Sequence, residues 1–562
     1  TAIGRAALKT ATTTNSCIAI GDSAMQYTPA STAIIGVIGF GGSALGDATG
    51  LSTTANYSIA IGGSAGNNAS DLAGEFVIIG KEAGQKLNGT GVVHIGYEAG
   101  KYASGSYNTF VGGDAGKGGT TSAPYSSGEN NVAMGYQALN AVTTGHSNVV
   151  VGSSAGDTIT TGTQNILIGK DAGGGSNMTT HSDNVFIGHQ AGISNNASEN
   201  TFVGHQAGYN TTTAGNTFLG YRTGWQYTNQ GSNVLIGYTA GTAFRGQESV
   251  IIGHQSGNGL ATTDLTTSVI VGKDASRYGK GSMITTVGWR AGTYMTGSYN
   301  TFIGGFAGHS SGNTSAPYGS GTANTTLGAY SAYNLKEGGS NVLVGYGAGL
   351  SLTSGDNNTV IGKNAGDTLT TGANNTYIGY GADASAADVN DEIVISAGSD
   401  ALVGGGTETI RIGVDSDYIV NDFGENATWT HSSDRRIKKN IEDNDLGLEF
   451  IQKLKTRKFQ KKAPSEYPEE FEQYNSETTE RKNPDRIHYG FVAQEVKEAM
   501  DSVEHSEFPV WSKQDDGMEM LGESELITPL VKAVQELSSE NKELKDELNE
   551  LKIFIKKKLG DE

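Results

Sequence analysis

One short pattern recurs along most of the chain and leaves it little choice of fold. It reads Asn, Thr or Val, an apolar residue, a branched aliphatic residue, Gly, two variable residues, Ala, Gly. Asn184–Gly192 is one copy, Asn200–Gly208 the next, and Asn341 and Asn375 open later ones. The Gly that closes the apolar run falls at 152, 169, 188, 204, 220, 237, 253, 272, 288 and 304, so the spacing is 16 to 19 residues. A unit that short cannot hold a helix pair, and its Val, Ile, Phe and Thr favour a strand. The expected fold is therefore mainly β: a parallel β-roll or β-helix with one repeat per coil.

Each position in the unit has a physical reason. Gly after the strand permits a positive φ at the corner. The following Ala and Gly leave room for a second short strand, and the recurrent Asn suits a stacked side-chain ladder. In Val185-Phe186-Ile187, residues 185 and 187 share one face and Phe186 the other, and both faces are apolar. Val234-Leu235-Ile236 and Val250-Ile251-Ile252 repeat this. A coil interior buries one face only, so the other calls for a further copy of the chain, in an intertwined or side-by-side oligomer. Two wider steps, 112 to 135 and 304 to 328, carry the same inserted string, Thr121–Tyr125 and Thr314–Tyr318. Gly105-Ser106-Tyr107-Asn108-Thr109-Phe110 returns as Gly297-Ser298-Tyr299-Asn300-Thr301-Phe302, 192 residues on, which marks a duplicated block.

Composition narrows the rest. The chain of 562 residues carries 83 Gly, roughly twice the usual share, with no Gly-X-Y period that would suit collagen. Cys17 is the single cysteine, so no intrachain disulfide framework exists. A net charge of −20 argues against nucleic acid or an anionic membrane as partner, and no apolar run reaches the roughly 18 residues of a membrane span. The pattern already runs at Thr1–Gly4, which suggests a fragment lacking an N-terminal anchor. From Ser433 onward lie only five Gly but 52 of the 96 charged residues. The expected divisions are a repetitive body over 1–385, a neck over 386–432, a charged domain over 433–525 and a terminal helix over 526–562.

Asn15-Ser16-Cys17-Ile18-Ala19-Ile20-Gly21 and Tyr57-Ser58-Ile59-Ala60-Ile61-Gly62 resemble the head repeats of trimeric autotransporter adhesins. The resemblance spans roughly 1–385 and implies a trimeric, left-handed parallel β-roll.

The string from Ser433 to Ile441, Ser-Asp-Arg-Arg-Ile-Lys-Lys-Asn-Ile, resembles the opening of the endosialidase-type intramolecular chaperone, a self-processing family of phage tail spikes and fibres. Its pattern, Ser-Asp-x-Arg-x-Lys-x-Asn-Ile, is met at every fixed position. His488–Val496 and Leu526–Leu537 match two further elements in the right order. The resemblance implies an α+β domain that assembles a homotrimer, with Ser433 as nucleophile and Lys438 as general base of a Ser–Lys dyad. The implied scissile bond adjoins Ser433 on one side or the other, so Ser432 and Asp434 are the cleavage-adjacent residues. A base must be neutral, so burial or a nearby cation such as Arg435 or Arg436 is needed to favour the free amine. At the end, Leu530, Val534, Leu537, Asn541, Leu544, Leu548, Leu551 and Ile555 alternate steps of four and three, a coiled-coil seam with Asn541 at an a position. Heptad rules alone lean towards a dimer; the resemblance implies a trimer.

Residues just after the repeat Gly form a possible surface ladder: His189, His205, Tyr221, Tyr238, His254, Lys273 and Trp289. Tyr221, Tyr238 and Trp289, with Tyr125 and Tyr318 of the insertions, are candidate receptor contacts, since aromatic rings hold sugars and loops carry function. No Cys/His cluster suggests a metal, and no cofactor is expected. The expected function is a phage tail fibre on the virion, assembled in the host cytoplasm, binding a bacterial surface glycan or protein receptor and other virion tail proteins. The alternatives are a polysaccharide-depolymerising tailspike, disfavoured because the body shows no evident acid pair in a pocket-forming context, and a bacterial trimeric surface adhesin, whose C-terminal membrane barrel has no counterpart in this charged helix.

Overall fold

The computed structural model describes the chain outside residues 10–12, 27–32, 47–56, 69–73, 120–124, 176–177, 227–230, 260–264, 311–318, 416, 424–425, 432, 472–473, 481–484, 486, 515 and 561–562. It forms two compact units, Thr1–Ser432 and Ser433–Glu562.

The first unit is a parallel β-solenoid with coils of about 17 residues. Strands of three or four residues stack in strict register: Val185, Phe186 and Ile187 pair with Thr201, Phe202 and Val203, and these with Thr217, Phe218 and Leu219. The middle residue of each strand points inward, and Phe186, Phe202 and Phe218 are fully buried. Their rings stack 4.8 Å apart, the spacing of hydrogen-bonded strands, so side-chain column and backbone ladder share one period. The flanking residues face outward.

The corner explains the glycines. Gly188 sits at φ +138, and a Cβ there would lie 2.4 Å from the Gly204 carbonyl oxygen of the next coil. Gln190 (φ 56) and Gly192 (φ 59) are left-handed, with Ala191 fully buried between them. A Cβ on Gly192 would come within 2.5 Å of the Phe186 ring. The Ala-Gly half is therefore a turn, not the expected second strand, because left-handed residues interrupt any extended run.

The recurrent Asn lies inside. From Asn108 to Asn233, each successive Asn donates its backbone N–H to the side-chain oxygen of the Asn one coil before; Asn184 does so to Asn165 at 3.2 Å and Asn216 to Asn200 at 2.9 Å. Ser249 and Ser268 carry the column on through their hydroxyls, and a second run extends from Asn300 to Asn375. Every rung satisfies polar groups that burial would otherwise leave unpaired.

The stretch expected as a neck is, in its first part, more of the same stack. Ile393–Ser396 lies parallel on Thr376–Ile378, and Thr409–Val414 on Ile393–Ser396. The repeat is disguised because Glu392 replaces the Asn and Ser396 the Gly. Buried Glu392 ends the ladder by accepting from Tyr377 Oη at 2.9 Å and the Gly406 N–H at 2.8 Å. Asp417–Asp422 and Asn426–His431 then run antiparallel.

The second unit is α+β. Helix α1 (Leu448–Lys453), the paired strands Arg457–Phe459 and His488–Gly490, helix α2 (Ala493–Asp501) and the hairpin Trp511–Lys513 with Glu519–Leu521 precede helix α3 (Ile527–Leu559), 33 residues long. Its core gathers Leu446, Phe450, Val496, Met500, Val510 and Leu526. The seam residues of α3 from Leu530 to Ile555 lie exposed.

Candidate functional site

Ser433 opens the second unit, and a local turn brings Lys438 to it. Asp434 caps the single 3-10 turn Arg435–Ile437 by accepting the Arg436 N–H at 2.8 Å. The Arg436 guanidinium returns to the same carboxylate, Nε at 3.1 Å from each oxygen and Nη2 at 2.6 Å from Oδ2. Lys438 donates its own N–H to the Arg435 carbonyl at 3.2 Å and leaves the turn extended. Its side chain folds back, placing Nζ 2.7 Å from Ser433 Oγ. The hydroxyl and amine expected as nucleophile and base are thus within hydrogen-bond reach, inside one six-residue stretch. The Arg436 hydrogen bonds hold the Asp434 carboxyl below the usual carboxylate range and raise the guanidinium in return. The whole stretch Ser433–Asp445 is exposed. Ser432 lies outside the described residues. Arg436 was not singled out by sequence as Asp434's partner: the motif marks it as fixed, but Arg435 beside it carries the same charge, and only the turn distinguishes them.

The surface ladder forms. His189, His205, Tyr221, Tyr238 and His254 stack in one continuous column, centroids 5.0 to 5.2 Å apart. Both faces of Tyr221 and Tyr238 are thereby taken by neighbouring rings, leaving only edges for a sugar. Lys273 interrupts the column. Trp289 lies beyond it, edge-on to Phe306 at 4.7 Å, with Arg290 over its ring at 5.6 Å. Phe306 stacks on Tyr330 and meets His309 and Tyr333, forming an aromatic cluster. Reading two positions after the Gly, as well as one, would have found Phe306. Tyr125 pairs instead with Tyr102 at 6.4 Å, under Lys86. Tyr318 lies outside the described residues. The candidate contacts therefore form three separate groups, not one site.

Residues 433–503 match the family model described as the chaperone of endosialidase. Searches of curated proteins and of solved structures each returned no significant match. The C-terminal unit thus carries a chaperone-of-endosialidase domain, and the body before it is a β-solenoid.

Proposed function

We propose that this chain is the homotrimeric tail fibre of a bacteriophage, assembled in the host cytoplasm by its C-terminal unit, which then cuts the chain beside Ser433. The observation that carries the reading is the 2.7 Å contact between Lys438 Nζ and Ser433 Oγ within the segment that matches the chaperone family. In the reaction, neutral Lys438 takes the Oγ proton as Oγ attacks the carbonyl carbon of residue 432. A C–O bond forms, the C–N bond to Ser433 breaks, and the proton passes from Lys438 to the departing amine. Water then hydrolyses the ester, leaving a carboxylate on residue 432 and Ser433 as a free N-terminus. Assembly withdraws the exposed turn from water, which favours the unprotonated amine.

Trimerisation is supported by two apolar faces that one chain leaves open. On the solenoid, Ile166, Ile187, Leu219, Leu327 and Ile361 each stay more than a third exposed on the outward side of the stack. On α3, Leu537, Leu544, Leu548 and Leu551 do the same. Covering a half-exposed Ile or Leu contributes about 1 kcal/mol, and the row repeats coil after coil. The fibre body contacts a bacterial surface glycan or protein receptor, with the Trp289–Phe306 cluster and Tyr125 as the contacts left partly open.

Mass spectrometry of the expressed chain beside Ser433→Ala tests the cleavage. The expected result is a fragment starting at Ser433 from the wild type and an intact chain from the variant. An intact wild type in a trimer of confirmed mass would overturn cleavage while leaving assembly.

A further inference from the structure

We propose that Arg436 is a positioning residue for this dyad: by engaging both oxygens of Asp434 it keeps that carboxylate off Lys438 and leaves the amine to Ser433. The inference rests on the Ser–Lys reading above. Asp434 is the residue next to Ser433, so an amine 2.7 Å from Ser433 Oγ has in Asp434 a neighbouring carboxylate able to trap it as an ammonium ion. A carboxylate–ammonium pair is stronger than a hydrogen bond to a hydroxyl. Left alone, Asp434 would win Lys438. The structure shows Asp434 already occupied, by the forked guanidinium and by the turn's own N–H. A forked donor fills both oxygens, which a lysine at 436 would not do.

The other charges near Lys438 do not replace this arrangement. Arg435 and Lys439 flank it in the chain, and Glu442 and Asp443 lie further along. Helix α3 approaches the stretch at Asp443 and Asn444, where it brings Lys532. Asp434 is thus the acidic residue nearest the dyad along the chain, and Arg436 the group paired with it. The same pair holds the turn, since Asp434 caps it, so the dyad geometry exists in a single chain before any partner arrives.

The test follows self-cleavage of the full chain after cell-free synthesis, from pH 6.5 to 9.5, with Ser433→Ala as the uncut control. Arg436→Ala is expected to slow cleavage at least tenfold at pH 7 and to move the pH profile to the alkaline side. Arg436→Lys should fall between. Arg436→Ala with Asp434→Asn should recover most of the neutral-pH rate, because Asn still caps the turn but cannot hold an ammonium ion. A folding defect from loss of the arginine would not be rescued in this way. A cut wild type with an unchanged Arg436→Ala profile, or a double variant no faster than the single, overturns the inference and leaves the dyad standing. No fragment from the wild type overturns both.

Discussion

Single residues in the solenoid are constrained by the coil above and the coil below, and His94 shows what happens when one of them can titrate. It occupies the inward position of its strand, fully buried, stacked on Phe110 at 4.9 Å, with neither ring nitrogen hydrogen-bonded. Burial pushes its pKa down to about 3 from an ordinary value near 6.5. The folded chain therefore keeps His94 neutral while the unfolded chain takes up a proton, and stability is lost as pH falls from about 6.5 towards 3. Between pH 7 and 4.5 the loss is about 2–3 kcal/mol per chain. His94→Phe should remove it, since the next coil already holds Phe110 in the same place. Denaturation midpoints of both proteins at the two pH values check this; equal losses would refute it. The inward role of position 94 was legible from its place in the repeat. Its isolation was not, because a sequence shows which residue stands there and not which polar groups surround it. Arg436 is the same lesson at the candidate site: the motif marks the residue, but only the folded turn shows what it holds.

Elements differ in how plainly the sequence announces them. Solenoid strands are legible because each repeats its neighbour's chemistry, and the register follows once the Gly positions are aligned. The coil at Ile393–Ser396 escaped because Glu392 stands where the repeat has Asn: its backbone N–H still joins the ladder by donating to Asn375 Oδ1, a bond that does not depend on which side chain is there. The corner turn was misjudged because small residues are compatible with a strand as well as with a turn, and only the left-handed φ of Gln190 decides between them. Helix α3 is a separate case. Its seam was evident from heptad spacing, yet Leu537, Leu544, Leu548 and Leu551 stay exposed in the single chain. Leu537→Asp together with Leu544→Asp should therefore leave α3 helical but abolish the proposed trimer, because charges would be buried at each facing position. Sedimentation analysis with circular dichroism separates the outcomes; a trimer that survives both substitutions would show that the seam does not hold it.

At the scale of the whole chain, the duplicated block matters most. Asn108 and Asn300 occupy the same place in the unit, each donating its side-chain amide to a glycine carbonyl three residues back, Gly105 or Gly297. Both wide coils close with one equivalent bridge, Ala103 to Ser126 and Met295 to Gly319. Deleting residues 109–300 would join Asn108 to Thr301 and restore an unbroken Asn-Thr-Phe-Ile-Gly. The expected product folds, keeps its C-terminal unit and is shorter by eleven strand steps, about 50 Å at the spacing of paired strands. Electron micrographs of the two proteins measure the difference, and an aggregated deletion product would count against the equivalence of the two ends. Reach, in such a molecule, is a digital quantity. Because a coil touches only the coils beside it, whole units can be gained or lost by unequal exchange between near-identical stretches, and each event resets how far the tip stands from its base without redesigning a single contact.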